Sequence, residues 1–487
     1  MSLVLYPRAA PNDRLRVWVG AFQATQAPAL SWLLDGNAFE PSALRPMSSV
    51  RSGDLFHAGT DPATVPRAFS GVYEFAGLLP DTTYEVSVTG GGESMVLSTR
   101  TLPAAVPTQL DRSFNVLLIS CFHQAEDRAG LAGTIVSQLK ATAKPNLTIL
   151  AGDQVYLDLP TLQDFPDNKA WLAEKFEQDY TLNWSGPLAY TEVLSVAPAI
   201  SCPDDHEFWN NYPHVSPMIG NSRTPEGRQR WKEAATAMFE GFQLAYPASL
   251  GEAVTIDVHP LSFFVADTRS KKDEHHGFTM SPEARTQLSD WVTDVIAQKR
   301  FGVFVSGQSL FGDAAGTISG YVGDYELANY GDYGEIVSIL RRLVDAGRPV
   351  LCLTGDVHWG RVSTARDVRT GRIGFAEVIS SPASLVSFVG MDQAKRFFSA
   401  IGGLFGQKNP WPRHADPAAV PSYLASGVLQ GGFPCTQLYG HRGNHVAMLS
   451  FRQHGTGVEM RARYWPITRD AQIGRPIEVA PIELVNS

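Results

Sequence analysis

Four short strings, each set just after an apolar run, constrain this chain more than any other feature. Residues 116–119 lead into Ser120-Cys121-Phe122-His123, and residues 147–151 into Gly152-Asp153-Gln154-Val155-Tyr156. Residues 197–200 lead through Ser201-Cys202-Pro203 into Asp204-Asp205-His206-Glu207, and residues 350–353 into Gly355-Asp356-Val357-His358. Short apolar runs bounded by turn residues read as strands buried on both faces. In open α/β sheets, ligands bind outside the carboxyl ends of the strands. Four strand ends carrying Cys, Asp, Tyr and His therefore predict one shared site, and those residue types predict metal.

Each string offers a ligand chemistry beside a plainer reading. The Asp153 carboxylate can bridge two cations, and Gly152 lets ligands approach the backbone; an Asp that merely opens a turn is the alternative. The Tyr156 phenolate is a hard anion suited to a trivalent cation such as Fe³⁺, whereas a neutral Tyr there is core. Cys121 and His123 place a thiolate and an imidazole one residue apart on a turn, or else a buried Cys beside a surface His. Asp204 and Asp205 are costly as neighbours unless a cation or hydrogen bonds hold them. His206 can donate a proton to a leaving oxygen near neutral pH. Asn210 and Asn211 follow, with amide oxygens able to act as neutral ligands. Asp356 and His358, one spacer apart, can turn toward one site from an extended loop. The four strings together are far more specific than any one of them.

The rest of the sequence supplies a frame. At 487 residues the chain is longer than one hydrophobic core usually serves, so more than one domain is expected. Residues 1–106 read as all-β, with short runs separated by Gly, Pro, Asn and Asp. Leu79-Pro80-Asp81-Thr82-Thr83-Tyr84-Glu85-Val86 resembles the tyrosine-corner region of fibronectin type III and immunoglobulin-like sandwiches, in which a Tyr hydroxyl bonds to nearby backbone. Pro103 to Pro107 reads as a linker. From about residue 108, strands alternate with helical periodicity at 128–140, 169–180, 225–244, 281–297 and 334–344, the mark of a layered α/β domain. Residues 386–432 break the alternation and read as an insertion or lid, with a short helix at 393–401. Residues 433–487 contain the last strands, expected to return to the core sheet.

Composition narrows the partners. Charged residues are 18%, hydrophobic residues 44%, and the net charge is −9, so a nucleic acid held on a basic face is not expected. Four cysteines without CxxC spacing exclude a disulfide scaffold, and Cys202, Cys352 and Cys435 read as small buried hydrophobes. No apolar run is long enough to span a bilayer, and the first six residues lack the features of a signal peptide. A soluble protein is expected.

The order SCxH, GDxxY, DDHE and GDVH resembles the PhoD family of alkaline phosphatases and phosphodiesterases, within the calcineurin-like metallophosphoesterases. The resemblance runs over about residues 115–385, and Val265-Ala266-Asp267-Thr268-Arg269 resembles the family's Asp-x-Arg segment. It implies an α/β fold, a two-sheet β-sandwich flanked by helices, behind an N-terminal β-domain, giving domains at 1–106 and 107–487. It further implies that Cys121, Asp153, Tyr156 and His358 hold a first metal, iron, with Asp153 bridging. Asp356, with Asn211 or Asp205, would hold a divalent ion, calcium in family members; Zn²⁺, Mn²⁺ and Mg²⁺ are the other candidates. His123 falls where many relatives have a ligand His, with Cys121 replacing the usual Asp. His206 matches the His that assists the leaving group, and Arg269 either orients phosphate or pairs with Asp267. Family members are often exported.

The function expected is hydrolysis of phosphate mono- or diesters by a metal-activated hydroxide, with Asp153, His206 and Arg269 in the catalytic set. A catalytically silent surface- or ligand-binding protein on the same fold is the alternative, since fold does not dictate function.

Overall fold

A computed structural model describes residues 1–127, 130–160, 165–186, 190–314, 325–384, 420–425, 432–468 and 472–485. The helix expected at 393–401 lies outside the described residues.

The apolar runs form strands of two facing sheets. In the first, Leu147–Ala151 lies between Phe114–Ile119 and Ala199–Cys202, parallel to both. His445–His454 pairs antiparallel with Phe114–Ile119, and Gly457–Pro466 follows it. The second runs in the order Val254–Val258, Leu261–Val265, Phe301–Ser306, Val350–Thr354, Ile373–Ile379, Gly360–Arg366, Cys435–His441. Its four strands from Leu261–Val265 to Ile373–Ile379 are parallel.

Strand alternation divides each apolar run between two cores. Val116, Leu118, Ile149 and Ile200 of the first sheet meet Phe263, Val303, Leu351 and Leu353 of the second between the layers. The alternate residues Leu117, Ile119 and Leu150 face outward onto helices Leu131–Thr142 and Lys169–Ser185. On the other side, Phe264, Phe304 and Cys352 pack against Pro282–Ala297 and Tyr333–Asp345. Burial on both faces is why the strands read as unbroken apolar runs. Each large side chain so buried contributes about 1.5–3 kcal/mol relative to exposure. Helix Pro282–Ala297 begins as its sequence requires, with the Ser281 hydroxyl accepting the Ala284 N–H at 3.1 Å and Pro282 in the first turn.

The first hundred residues are built from strands and two short 3₁₀ turns. Ser2–Arg8, Arg14–Ala24, Arg67–Ala76 and Ser42–Ser49 form one layer, and Asn37–Ala38, Leu30–Leu34, Thr83–Gly90 and Glu93–Arg100 the other. Leu5, Val17, Val19, Trp32, Phe75 and Val86 pack together in one core. The Leu79 N–H donates to the Tyr84 hydroxyl at 2.9 Å. The first layer does not stop at the change in sequence pattern. Arg8 registers with Ala199, and the Ala9 N–H donates to the Ala199 carbonyl at 2.9 Å, so the sheet continues into the α/β layers. Its outer face carries Trp18, whose indole N–H donates to the Gly241 carbonyl at 2.8 Å. The segment read as a linker is docked as well, with the Val106 N–H on the His259 carbonyl at 2.7 Å.

Candidate metal centre

The strand register brings the four strings to one end of the sandwich. Ile119 pairs with Leu150, and Ala151 with Cys202, so three loops leave the first sheet at nearly one level. Thr354 registers with Ser306 and Ile379 in the second sheet. Backbone bonds then tie the loops together: Cys121 N–H to Gly152 carbonyl at 3.2 Å, Phe122 N–H to Asp153 carbonyl at 2.8 Å, and Gly355 N–H to Gly307 carbonyl at 3.1 Å.

This close approach requires glycine. A Cβ on Gly152 would lie 2.5 Å from Asp204 Cβ; one on Gly355 would overlap the Ala151 carbonyl oxygen and lie 2.7 Å from Ser120 Cβ. Gly355→Ala should therefore cost about 1–3 kcal/mol, the usual penalty of overpacking. A lowered urea midpoint at unchanged slope is the expected result; an unchanged midpoint would mean that the loops are not packed this closely.

The candidate ligands sit on strained backbone. Cys121, Asp153, Asn211, Asp356 and His358 have φ of 54°, 57°, 70°, 63° and 57°, a region that non-glycine residues seldom enter. Such strain gathers where function over-determines a conformation.

Three groups among the described residues bring ligand atoms within 4.8 Å of one another: Cys121, Asp153 and His358; Asp153, Asp205 and His206; and Asp153, Asp204, Asp205 and Asp356. Asp153 belongs to all three. Tyr156 enters beside them, with its ring 4.2 Å from that of His206 and its buried hydroxyl making no hydrogen bond among the described residues. Asn211 is fully buried, and neither atom of its side-chain amide has a partner there, while its N–H donates to Asp205 Oδ2 at 2.7 Å.

The charges explain what these atoms lack. Burial pushes the Cys121 thiol well up, and the Asp153 and Asp356 carboxylates push it further. Burial also raises Asp153 strongly; His206 opposes this, and Asp205, Asp204 and Glu207 add to it. The Tyr156 phenol is driven up by burial, then by Cys121, Asp153 and Asp205. Each anion thus opposes the ionisation of the next, and a bound cation reverses the sign of that interaction. The orphaned Tyr156 and Asn211 atoms and the mixed S, N and O donor set fit a pair of cations. Carboxylate and amide oxygens suit a hard divalent ion, and the thiolate and imidazole suit a transition metal.

Other residues of the strings hold rather than ligate. The Glu207 carboxylate accepts the N–H groups of Asp153, Gln154 and Asp204 at 2.9, 2.6 and 2.8 Å, locking two loops together. The Arg269 guanidinium is fully buried and donates to Asp204 Oδ1 at 2.7 Å and to the Tyr212 carbonyl at 3.0 Å. Asp267 meets Arg269 through its backbone, receiving the Arg269, Ser270 and Gly251 N–H groups at 3.1, 2.8 and 2.9 Å. His123 is in none of the three groups, and its ring stands edge-on to Tyr156 at 5.5 Å. Burial lowers it to about 4, leaving it neutral. His275 is exposed, and His276 stacks on His214 at 4.4 Å.

Asp158 was missed by the sequence reading. Its carboxylate lies 2.8 Å from His206 Nδ1 and accepts the Asn210 N–H at 2.7 Å. The available signal was an acid five residues after Asp153, on the same loop. Burial alone would lower the His206 imidazole, but Asp158, Asp205 and Asp153 outweigh it and hold the ring well above its ordinary value. An imidazole must be protonated to act as the donor, so Asp158→Asn should lower kcat and move the basic limb of the rate profile to lower pH. An unmoved basic limb would dissociate Asp158 from proton transfer.

No family model matches the sequence, and no curated protein matches it significantly. Solved structures do match it. PhoD superposes with a TM-score of 0.61 at 15% identity, over 98% of this chain and 88% of PhoD. Purple acid phosphatase PPD1 from yellow lupin seeds superposes with a TM-score of 0.57 at 13% identity, over 98% of this chain and 74% of that one. The chain thus has the fold of the calcineurin-like metallophosphoesterases. Within that fold, the likeness extends over nearly the whole of PhoD. No helix among the described residues is long and apolar enough to cross a membrane.

Proposed function

We propose that this chain is a PhoD-like metallophosphoesterase that hydrolyses phosphate mono- or diesters. The observation that carries the reading is Asp153, a buried carboxylate common to all three candidate ligand groups. In this reading Cys121, Asp153, Tyr156 and His358 would hold Fe³⁺, while Asp153, Asp205, Asn211 and Asp356 would hold Ca²⁺ or another divalent ion. When bound, two such cations activate water and neutralise charge on phosphoryl oxygens.

The protein's own groups do the rest. Asp158 takes the Nδ1–H of His206, fixing the tautomer and leaving Nε2 to deliver a proton to the departing alcohol oxygen. Arg269 holds the Asp204 carboxylate in place. Glu207 fixes the two loops that carry Asp153 and Asp205. Residues 1–106 would be a fibronectin III-like unit whose sheet runs on into the catalytic portion at 107–487.

Turnover of a panel of phosphate mono- and diesters by metal-reconstituted protein tests this reading. Hydrolysis of at least one ester class, lost on chelation and restored by metal, is expected; no turnover of any ester would refute it. If the first metal is Fe³⁺, its Tyr and Cys ligands should also give a visible charge-transfer band that bleaches on reduction.

A further inference from the structure

The strand Ile373–Ile379 ends beside Thr354, and the segment after it runs along the Cys121 turn. The Ala383 N–H donates to the Ser120 carbonyl at 2.9 Å, the Ser384 N–H to the Cys121 carbonyl at 3.1 Å, and the His123 N–H to the Ser384 carbonyl at 3.3 Å. These backbone bonds fix Ser381, which is fully buried, between two candidate ligands. Its Oγ lies 3.0 Å from Cys121 Sγ and 3.0 Å from the backbone nitrogen of His358.

The direction of both bonds follows from proton counting. The His358 amide can only donate, so Ser381 Oγ accepts there. The single hydroxyl proton of Ser381 is then free for the sulfur. Ser120 cannot serve equally: its hydroxyl is 3.5 Å from Sγ and donates to the Ser380 carbonyl at 2.9 Å. Cys121 Sγ meanwhile lies 3.4 Å from Asp153 Oδ2, so the thiol proton sits between sulfur and carboxylate, the gap that a cation would fill.

We infer that Ser381 is a positioning residue that joins Cys121 to His358 and tunes the metal–thiolate bond by donating a hydrogen bond to sulfur. The inference rests on the reading of Cys121 as a metal ligand. A hydrogen bond to a ligating sulfur withdraws electron density from it, and second-shell bonds of this kind alter affinity and redox character. It also stabilises the sulfur lone pair, so charge transfer from sulfur to metal requires more energy.

The test is the absorption of protein stripped of metal and reloaded with cobalt(II). Wild-type protein should show a thiolate-to-cobalt band that Cys121→Ser abolishes. Ser381→Ala should keep the band, shift it to lower energy, and weaken cobalt binding by about tenfold to a hundredfold. Ser381→Thr, which retains the hydroxyl, should restore the wild-type energy. Ser381→Gly, which also lacks the hydroxyl, should give a shift in the same direction, and it carries the test if the alanine variant does not fold. A wild-type band energy in both Ser381→Ala and Ser381→Gly would overturn the inference while leaving the ligand reading intact. No thiolate band in the wild type would overturn the ligand reading and the inference with it.

Discussion

Asp153→Asn should abolish phosphoester hydrolysis almost completely, with a fall in kcat of about a thousandfold or more, the upper range for losing one charge-stabilising group. The substitution changes little in volume. It removes the charge from a carboxylate shared by every ligand group described, one oxygen of which accepts the His206 N–H at 3.2 Å while the other faces Cys121 Sγ at 3.4 Å. Metal content should fall along with activity. Stability of the metal-free protein should hold or rise, because burial and neighbouring acids already disfavour the Asp153 charge. Measuring kcat, metal stoichiometry and the urea midpoint on one preparation separates these effects. Full activity in the variant would remove Asp153 from the chemistry.

His206→Ala should cost about 10²–10⁴ in kcat on esters of alkyl alcohols, the usual worth of a positioned general acid. The loss should be much smaller on p-nitrophenyl esters, whose leaving group departs without a proton. KM should change less than kcat in both cases. The contrast matters because the His206 side chain is also structural: its Nδ1 meets Asp158 and its ring packs on Tyr156. A loss equal for both leaving groups would assign His206 to holding the site rather than to proton transfer.

The sequence made the site's location legible because four of its strands are buried on both faces. Leu147–Ala151 and Val350–Thr354 are buried at every position, and a run of that kind has few other readings. The flanking edges were harder. Val254–Val258 and Cys435–His441 are strands with mixed, partly exposed residues; the first is marked only by a five-residue alternation of Val, Ile and polar residues, the second by less. Long-range pairings were invisible for a different reason. Arg269 is 65 residues from the Asp204 it holds, and the nearby Asp267 was the natural partner to name. The continuation of the sheet from Arg8 to Ala199 joins segments almost two hundred residues apart, with no trace in the local pattern at either end. Asp158 fell between these cases: it stood in plain sight near Asp153 but looked like any loop acid until His206 was placed beside it.

The central claim is that this strand-end cluster is a two-cation site for phosphoester hydrolysis. It is tested most directly by titrating metal-free protein with metal while following hydrolysis of a phosphate ester. The account predicts no activity at zero metal, a rise with added metal, and a plateau at two equivalents per chain. Activity that is independent of metal, or no activity at full loading, would contradict it.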